Sequence, residues 1–195
     1  MLAKPSPLSL RPAGTLLLAL VLFGATHAQT VTPDLDVPYA PTPPEVVKSM
    51  LDRAQVNKND TLYDLGCGDG RIVIPAAKKG GARVTGIDLN PVRIQEAIAN
   101  AKEAGVEGKV NFMVGDLFKA DFSRATVVTL CLLPDVSRKL RPQLWRQFQV
   151  GTRGVSHDFD IGPEWPPEKT VQAGNKTLYY WTITQANKEA VRAAK

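Results

Sequence analysis

Tyr63-Asp64-Leu65-Gly66-Cys67-Gly68-Asp69-Gly70-Arg71 is the stretch on which the fold turns. Thr61–Leu65 is short and apolar, as a buried strand is, and a carboxylate sits near its end. Three alternating glycines follow, and the pattern then becomes helical to about Lys79, with Pro75 inside the helix and Gly80-Gly81 stopping it. Glycines let the backbone turn tightly and approach a ligand, and the helix start beyond them offers free N–H groups. A dinucleotide site needs G-x-G-x-x-G, whereas Arg71 occupies the sixth place here. Asp64 before the loop also repels a pyrophosphate and suits a cationic ammonium group.

Outward from this loop, strands and helices alternate. Arg83–Leu89 is the second strand, ending at Asp88, 18 residues beyond Gly70, where a ribose diol is held. Asn90-Pro91 caps a helix to about Ala104. Lys109–Val114 is the third strand, followed by Asp116, which suits an adenine amino group. Ala125–Leu133 is apolar nearly throughout and reads as a strand buried on both faces. A helix over Pro134–Gln149, a strand over Thr152–Phe159 and a hairpin of Lys169–Ala173 with Thr177–Thr184 complete the domain. Glu45–Ala54 has helical apolar spacing, with Thr42 upstream as a cap. The pattern predicts an α/β fold, a mostly parallel sheet covered on both faces and closed by an antiparallel hairpin. The three aspartates at successive strand ends describe a ligand with an amino-acid end, a ribose and an adenine, and no phosphates. S-adenosylmethionine fits.

The 195 residues, 44% hydrophobic, suffice for one ordinary domain. Two cysteines and two histidines argue against a disulfide scaffold and a multi-His metal centre, so no metal is expected. Residues 1–28 read as a signal peptide, with Lys4 and Arg11 ahead of the apolar run Thr15–Phe23 and small residues at Thr26 and Ala28. Export to the periplasm or beyond follows, or a cytoplasmic protein if the start is misassigned. Membrane contact is expected only through an uncleaved signal. Without Lys4 and Arg11 the chain carries 22 basic and 19 acidic residues, a net of +3 that does not point to nucleic acid. Residues 29–44 form a Pro-rich arm, 45–185 the domain, and 186–195 a polar tail expected to fray.

The motifs also carry a resemblance. DLGCGDGR, GIDLN and VGDLF are similar to motifs I, II and III of class I S-adenosylmethionine-dependent methyltransferases, with their Rossmann-like seven-stranded sandwich. Pro41-Thr42-Pro43-Pro44-Glu45, Gly70–Ile74, Leu132-Leu133-Pro134 and Gly151–Ser156 with Trp165 resemble the seven-β-strand protein-lysine methyltransferases over roughly residues 38–184. These include archaeal broad-specificity enzymes and mitochondrial ones acting on the ATP synthase c-subunit and the adenine nucleotide translocase. The resemblance implies that Asp64, Gly66 and Gly68, with Cys67 between them, line the methionine end of the cofactor. It likewise places Asp88 at the ribose, Asp116 at the adenine, and Thr42 and Glu45 over the cofactor from the arm. Cys131 stands where the family usually has an aromatic residue.

The implied reaction is in-line methyl transfer to a protein lysine. Transfer to a small-molecule or lipid amine, or cofactor binding without catalysis, are the competing readings. Glu45 and Asp158 are the candidate proton or charge acceptors, Tyr39, Phe159 and Trp165 candidate walls of the acceptor site, and His157 a polar residue at a strand end. Two free thiols are expected at Cys67 and Cys131, with a disulfide as the alternative. The basic residues Arg138, Lys139, Arg141 and Arg146 read as a solvated face.

Overall fold

The computed structural model describes residues 41–80 and 83–193. The expected signal peptide and the arm up to residue 40, Tyr39 included, lie outside them. Helix α1 (Pro44–Arg53) leads into β1 (Thr61–Leu65), α2 (Val73–Gly80), β2 (Arg83–Asp88), α3 (Pro91–Glu103) and β3 (Val110–Val114). Then come β4 (Val127–Leu130), α4 (Pro134–Gln147), β5 (Arg153–His157), the hairpin β6 (Lys169–Ala173) and β7 (Lys176–Thr182), and α5 (Gln185–Ala193). The strands form one sheet in the order β3-β2-β1-β4-β5-β7-β6, in which β7 alone runs opposite to the other six. This is the mostly parallel sheet closed by an antiparallel hairpin that the alternation predicts.

The local signals act as the sequence suggests in most places. Asn90 caps α3 by accepting a hydrogen bond from Val92 N (2.9 Å), and Pro91 takes the first helical position. Pro75 falls in the first turn of α2, where its missing N–H has no intrahelical partner to lose. Side chains alternate across the sheet. Leu62, Val127 and Val155 join α1, α2 and α3 in one core. Leu65, Val128, Leu130 and Trp181 join α4 in the other.

Four expectations are corrected. The fourth strand ends at Leu130 rather than Leu133, because Leu132 leaves the sheet to pack on the glycine loop. Thr42 does not cap α1; Pro43 holds that position without a side-chain bond, and the Thr42 hydroxyl goes elsewhere. Up to Ala193 the polar tail forms α5 instead, where Lys188 Nζ donates to the carbonyls of Trp145, Arg146 and Phe148 at 2.7–2.9 Å. These are free carbonyls at the C-terminal end of α4, where a cation is favoured. Trp165 is not a wall of an open site. It is buried, its carbonyl accepts from Trp181 Nε1 (2.8 Å), and its ring packs between Trp145 and Trp181.

Candidate active site

In an open α/β sheet a ligand binds beyond the carboxyl ends of the strands, where the strand order reverses. That reversal falls between β1 and β4, and the register there pairs Asp64 with Thr129. Asp64 is 2% exposed. Its Oδ1 accepts a 2.6 Å hydrogen bond from Thr129 Oγ1, while its Oδ2 is buried and has no partner among the described residues. Burial pushes the carboxyl up to about 7, the Thr129 hydroxyl opposes this, and the charges of Asp88 and Asp69 add to the rise. A buried acceptor left open is costly in a finished fold, so this oxygen is where a ligand cation is wanted.

The glycine loop wraps around the same point. Gly66 N and Cys67 N both donate to Ile87 O (2.8 and 3.0 Å), fastening the loop to β2. Gly66 has φ +84°, and a Cβ there would stand 2.9 Å from Leu132 Cδ2. Only glycine meets both conditions without displacing the Leu-Leu-Pro segment. On the other side of Asp64 in the register lies Gly86, where a Cβ would be 2.8 Å from Cys67 Sγ. Gly86 thus makes the space into which Cys67 turns. Cys67 is buried, and burial with the nearby Asp64 charge pushes its thiol far up, which makes it a packing residue rather than a nucleophile.

Asp88 has a double task. Its Oδ2 accepts from Gly68 N (2.8 Å) and its Oδ1 from Asn90 N (2.9 Å), so the carboxylate ties the tip of the loop to the start of α3. Each oxygen keeps a lone pair for a ribose hydroxyl. Asp116 lies just past β3, partly exposed, with Oδ1 accepting from Phe118 N (2.9 Å) and Lys119 3.3 Å from Oδ2. The buried open oxygen of Asp64, the glycine cradle and the two further carboxylates fit the ammonium, ribose and adenine of S-adenosylmethionine.

A second group gathers at the ends of β4 and β5. Thr42 is 3% exposed, and a 3.0 Å hydrogen bond joins its Oγ1 to His157 Nδ1. Cys131 Sγ lies 3.4 Å from the same nitrogen. Cys67 and Cys131 are both free thiols, as expected. Burial holds His157 below its ordinary pKa, with the Asp158 charge opposing and Lys176 adding to the effect, so the ring is neutral near pH 7. Asp158 has φ +62° and is engaged by Lys176 Nζ (2.5 Å) and Thr177 N (3.2 Å). Burial raises its carboxyl, but these donors and His157 outweigh that and hold it below the usual range. Glu45 is exposed in the first turn of α1. The Thr42–His157 bond brings the segment that carries Glu45 to the strand end that carries Asp158.

Sequence reasoning did not single out Thr129, Gly86 or the second bond of Asp88. A threonine in an apolar run and a glycine inside a strand are the signals that point to them. On the expected basic face, Arg138 pairs with Asp135 and Arg141 with Glu164.

Residues 64–169 match the ANTKMT methyltransferase domain family. A protein-lysine N-methyltransferase of Saccharolobus islandicus is 44% identical over 152 residues, which is 75% of this chain and 94% of that protein. The lysine N-methyltransferase of Mus musculus that is named for the ATP synthase c-subunit is 31% identical, covering 85% of this chain and 67% of that protein. Among solved structures, an RNA methyltransferase from Salinibacter ruber in complex with S-adenosyl-L-homocysteine superposes with a TM-score of 0.73. It is 55% identical, over 75% of this chain and 95% of that one.

Proposed function

The chain belongs to the ANTKMT methyltransferase domain family, and from that premise we propose that it moves the methyl group of S-adenosylmethionine to a protein lysine ε-amine. The observation that carries the reading is the buried Asp64 carboxylate, half satisfied by Thr129 and open at Oδ2 beside the glycine loop. Asp64 holds the ammonium of the cofactor, Asp88 the ribose and Asp116 the adenine, with Gly66, Cys67 and Gly68 shaping the cradle. When bound, S-adenosylmethionine supplies a methyl already activated on a sulfonium. The protein therefore contributes alignment and exclusion of water.

The acceptor amine, with a free pKa near ~10.4, must lose a proton first. Asp158, held as a carboxylate and shared with the Lys176 ammonium, is an acidic group at the end of β5 and orients the incoming amine. Glu45, exposed beside the Thr42 turn, is the group free to receive the proton. Glu45→Gln should then lower kcat at neutral pH and spare cofactor affinity, whereas Asp158→Asn should chiefly raise KM for the acceptor.

The test is transfer of label from methyl-tritiated S-adenosylmethionine into a cell lysate. Label released as mono- to trimethyl-lysine after acid hydrolysis supports the reading. The name of the Salinibacter ruber relative favours a second acceptor, RNA, which would appear as label lost on ribonuclease treatment. Label only in small molecules or lipid, or binding without transfer, would each contradict a lysine acceptor. Asp88→Ala should weaken cofactor binding by about 100-fold, since it removes both a ligand contact and the tie on Gly68. We further propose export, which the basic and apolar pattern of residues 4–28 supports; N-terminal sequencing of the mature protein checks it. Retention of Met1 in a cytoplasmic fraction would overturn it.

A further inference from the structure

Thr42 is held from two sides by residues that belong to different parts of the site. Its hydroxyl bonds His157 Nδ1 at the end of β5 (3.0 Å). Its carbonyl accepts from Arg71 Nη1 (3.0 Å). Arg71 is in turn fixed to the glycine loop, donating from Nε to Asp69 Oδ1 (2.9 Å) and from Nη2 to Asp69 Oδ2 (2.7 Å). Asp69 is itself tied to α3, its carbonyl accepting from Asn100 Nδ2 (3.0 Å). One residue further back, Gly68 N donates to Asp88 Oδ2. A continuous set of bonds therefore runs from Asp88 through the loop tip to Arg71, to Thr42, and on to His157.

We propose that Arg71 and His157 are positioning residues that grip Thr42 from both sides and seat the turn at 42–45 across the cofactor site. The proposal rests on the reading of the glycine loop as that site. A ligand that engages Asp88 and the loop tip fixes Asp69, and Asp69 fixes the guanidinium that holds the Thr42 carbonyl. Seating of the turn is thereby linked to loop occupancy, while His157 anchors the same residue to the strand end where the acceptor enters. The forked pairing of guanidinium and carboxylate sets direction as well as strength, which a lysine in place of Arg71 does not reproduce.

The two grips are separable because they use different atoms of Thr42. Arg71→Met removes the carbonyl grip, and His157→Phe and Thr42→Val each remove the hydroxyl grip. The measurement is the dissociation rate of S-adenosylhomocysteine by stopped flow, with amide hydrogen exchange at Val46 and Val47, whose N–H groups bond Pro43 O in the turn that follows. Arg71→Met should raise the dissociation rate by about 10-fold or more, and His157→Phe by about 3- to 10-fold. Each should speed exchange at Val46 and Val47 and raise KM for the methyl donor more than it lowers kcat. The double variant Thr42→Val/His157→Phe should be little worse than the worse single variant, because both remove the same Thr42–His157 bond, whereas Arg71→Met added to either should worsen it. Arg71→Lys should not rescue, and His157→Asn should rescue in part.

Unchanged dissociation and exchange in folded Arg71→Met and His157→Phe proteins would overturn the proposal, as would full additivity of Thr42→Val with His157→Phe. If wild-type protein fails to bind S-adenosylhomocysteine at all, the cofactor reading fails. If it binds and the variants match it, only the two-sided grip fails.

Discussion

Two aspartates frame β1, and both are buried: Asp60, just before the strand, is 4% exposed, and Asp64, near its other end, is 2% exposed. Asp60 is saturated. Its Oδ1 accepts from Thr126 Oγ1 (2.7 Å) and from Arg153 Nη2, and its Oδ2 from the backbone N (2.9 Å) and side-chain N (3.0 Å) of Asn57. Arg153 continues to the Ala54 carbonyl, so the group staples the end of α1 to the amino ends of three strands. Among the described residues Asp64 has one side-chain bond, from Thr129, and an oxygen with none. The same residue type, buried at either end of one strand, is complete at one end of the sheet and incomplete at the other. The incomplete end is the carboxyl end of the parallel strands, the side on which a ligand binds at the β1–β4 switch point. The difference separates a carboxylate that holds the fold from one that keeps a buried acceptor oxygen open, the position proposed for the cofactor ammonium.

Substitution should split the pair most sharply. Asp60→Asn leaves Arg153 without its ionic partner and should cost about 3 kcal/mol of stability, with cofactor affinity intact in the folded fraction. Asp64→Asn should do the reverse. It should weaken S-adenosylhomocysteine binding by about 100-fold or more and abolish methyl transfer, yet leave the ligand-free protein at least as stable at pH 8. Denaturant unfolding and isothermal titration of both variants check the crossing. Loss of binding in Asp60→Asn, or loss of folding in Asp64→Asn, would break it.

The pH dependence of the ligand-free protein is a finer test. Asp64 titrates near 3.8 when unfolded and near 7 when folded, so between these values the folded state binds the proton more tightly. Stability from this group is therefore complete below about 4 and falls as pH rises through 7, by roughly 4 kcal/mol in all. Thermal melts from pH 4 to 8 should show this decline in wild type and not in Asp64→Asn. Smaller still is Thr129→Val, which removes the bond on Oδ1 and raises the Asp64 pKa further. It should weaken binding about 5- to 10-fold at pH 7, with less effect at pH 9.

The contrast between the two aspartates also marks what could be read from the sequence. The strand and helix pattern is legible because burial on two faces leaves apolar runs and because Asn90-Pro91 and the glycines punctuate them. The positions of Asp64, Asp88 and Asp116 at successive strand ends are legible because strand ends line up at one edge of a parallel sheet. Thr129 is not, because its importance comes from the β1–β4 register, which no local signal encodes. Docking of α5 escapes for the same reason: one lysine reaches three carbonyls of a helix some forty residues away. Trp165 reads as a site wall from its place near the strand ends, yet two other tryptophans enclose it in the core. Asp158 reads as a free acid, and its pairing with Lys176 depends on the β7 hairpin returning beside β5.

We propose that the cofactor ammonium completes the open oxygen of Asp64. Titration calorimetry of S-adenosylhomocysteine at pH 7, in buffers of different ionisation enthalpy, tests it most directly. The ammonium favours the carboxylate, so wild type should release about half a proton on binding, rising toward one near pH 6, and Asp64→Asn should release none. Binding of equal affinity in both proteins, with no dependence on buffer, would contradict the claim.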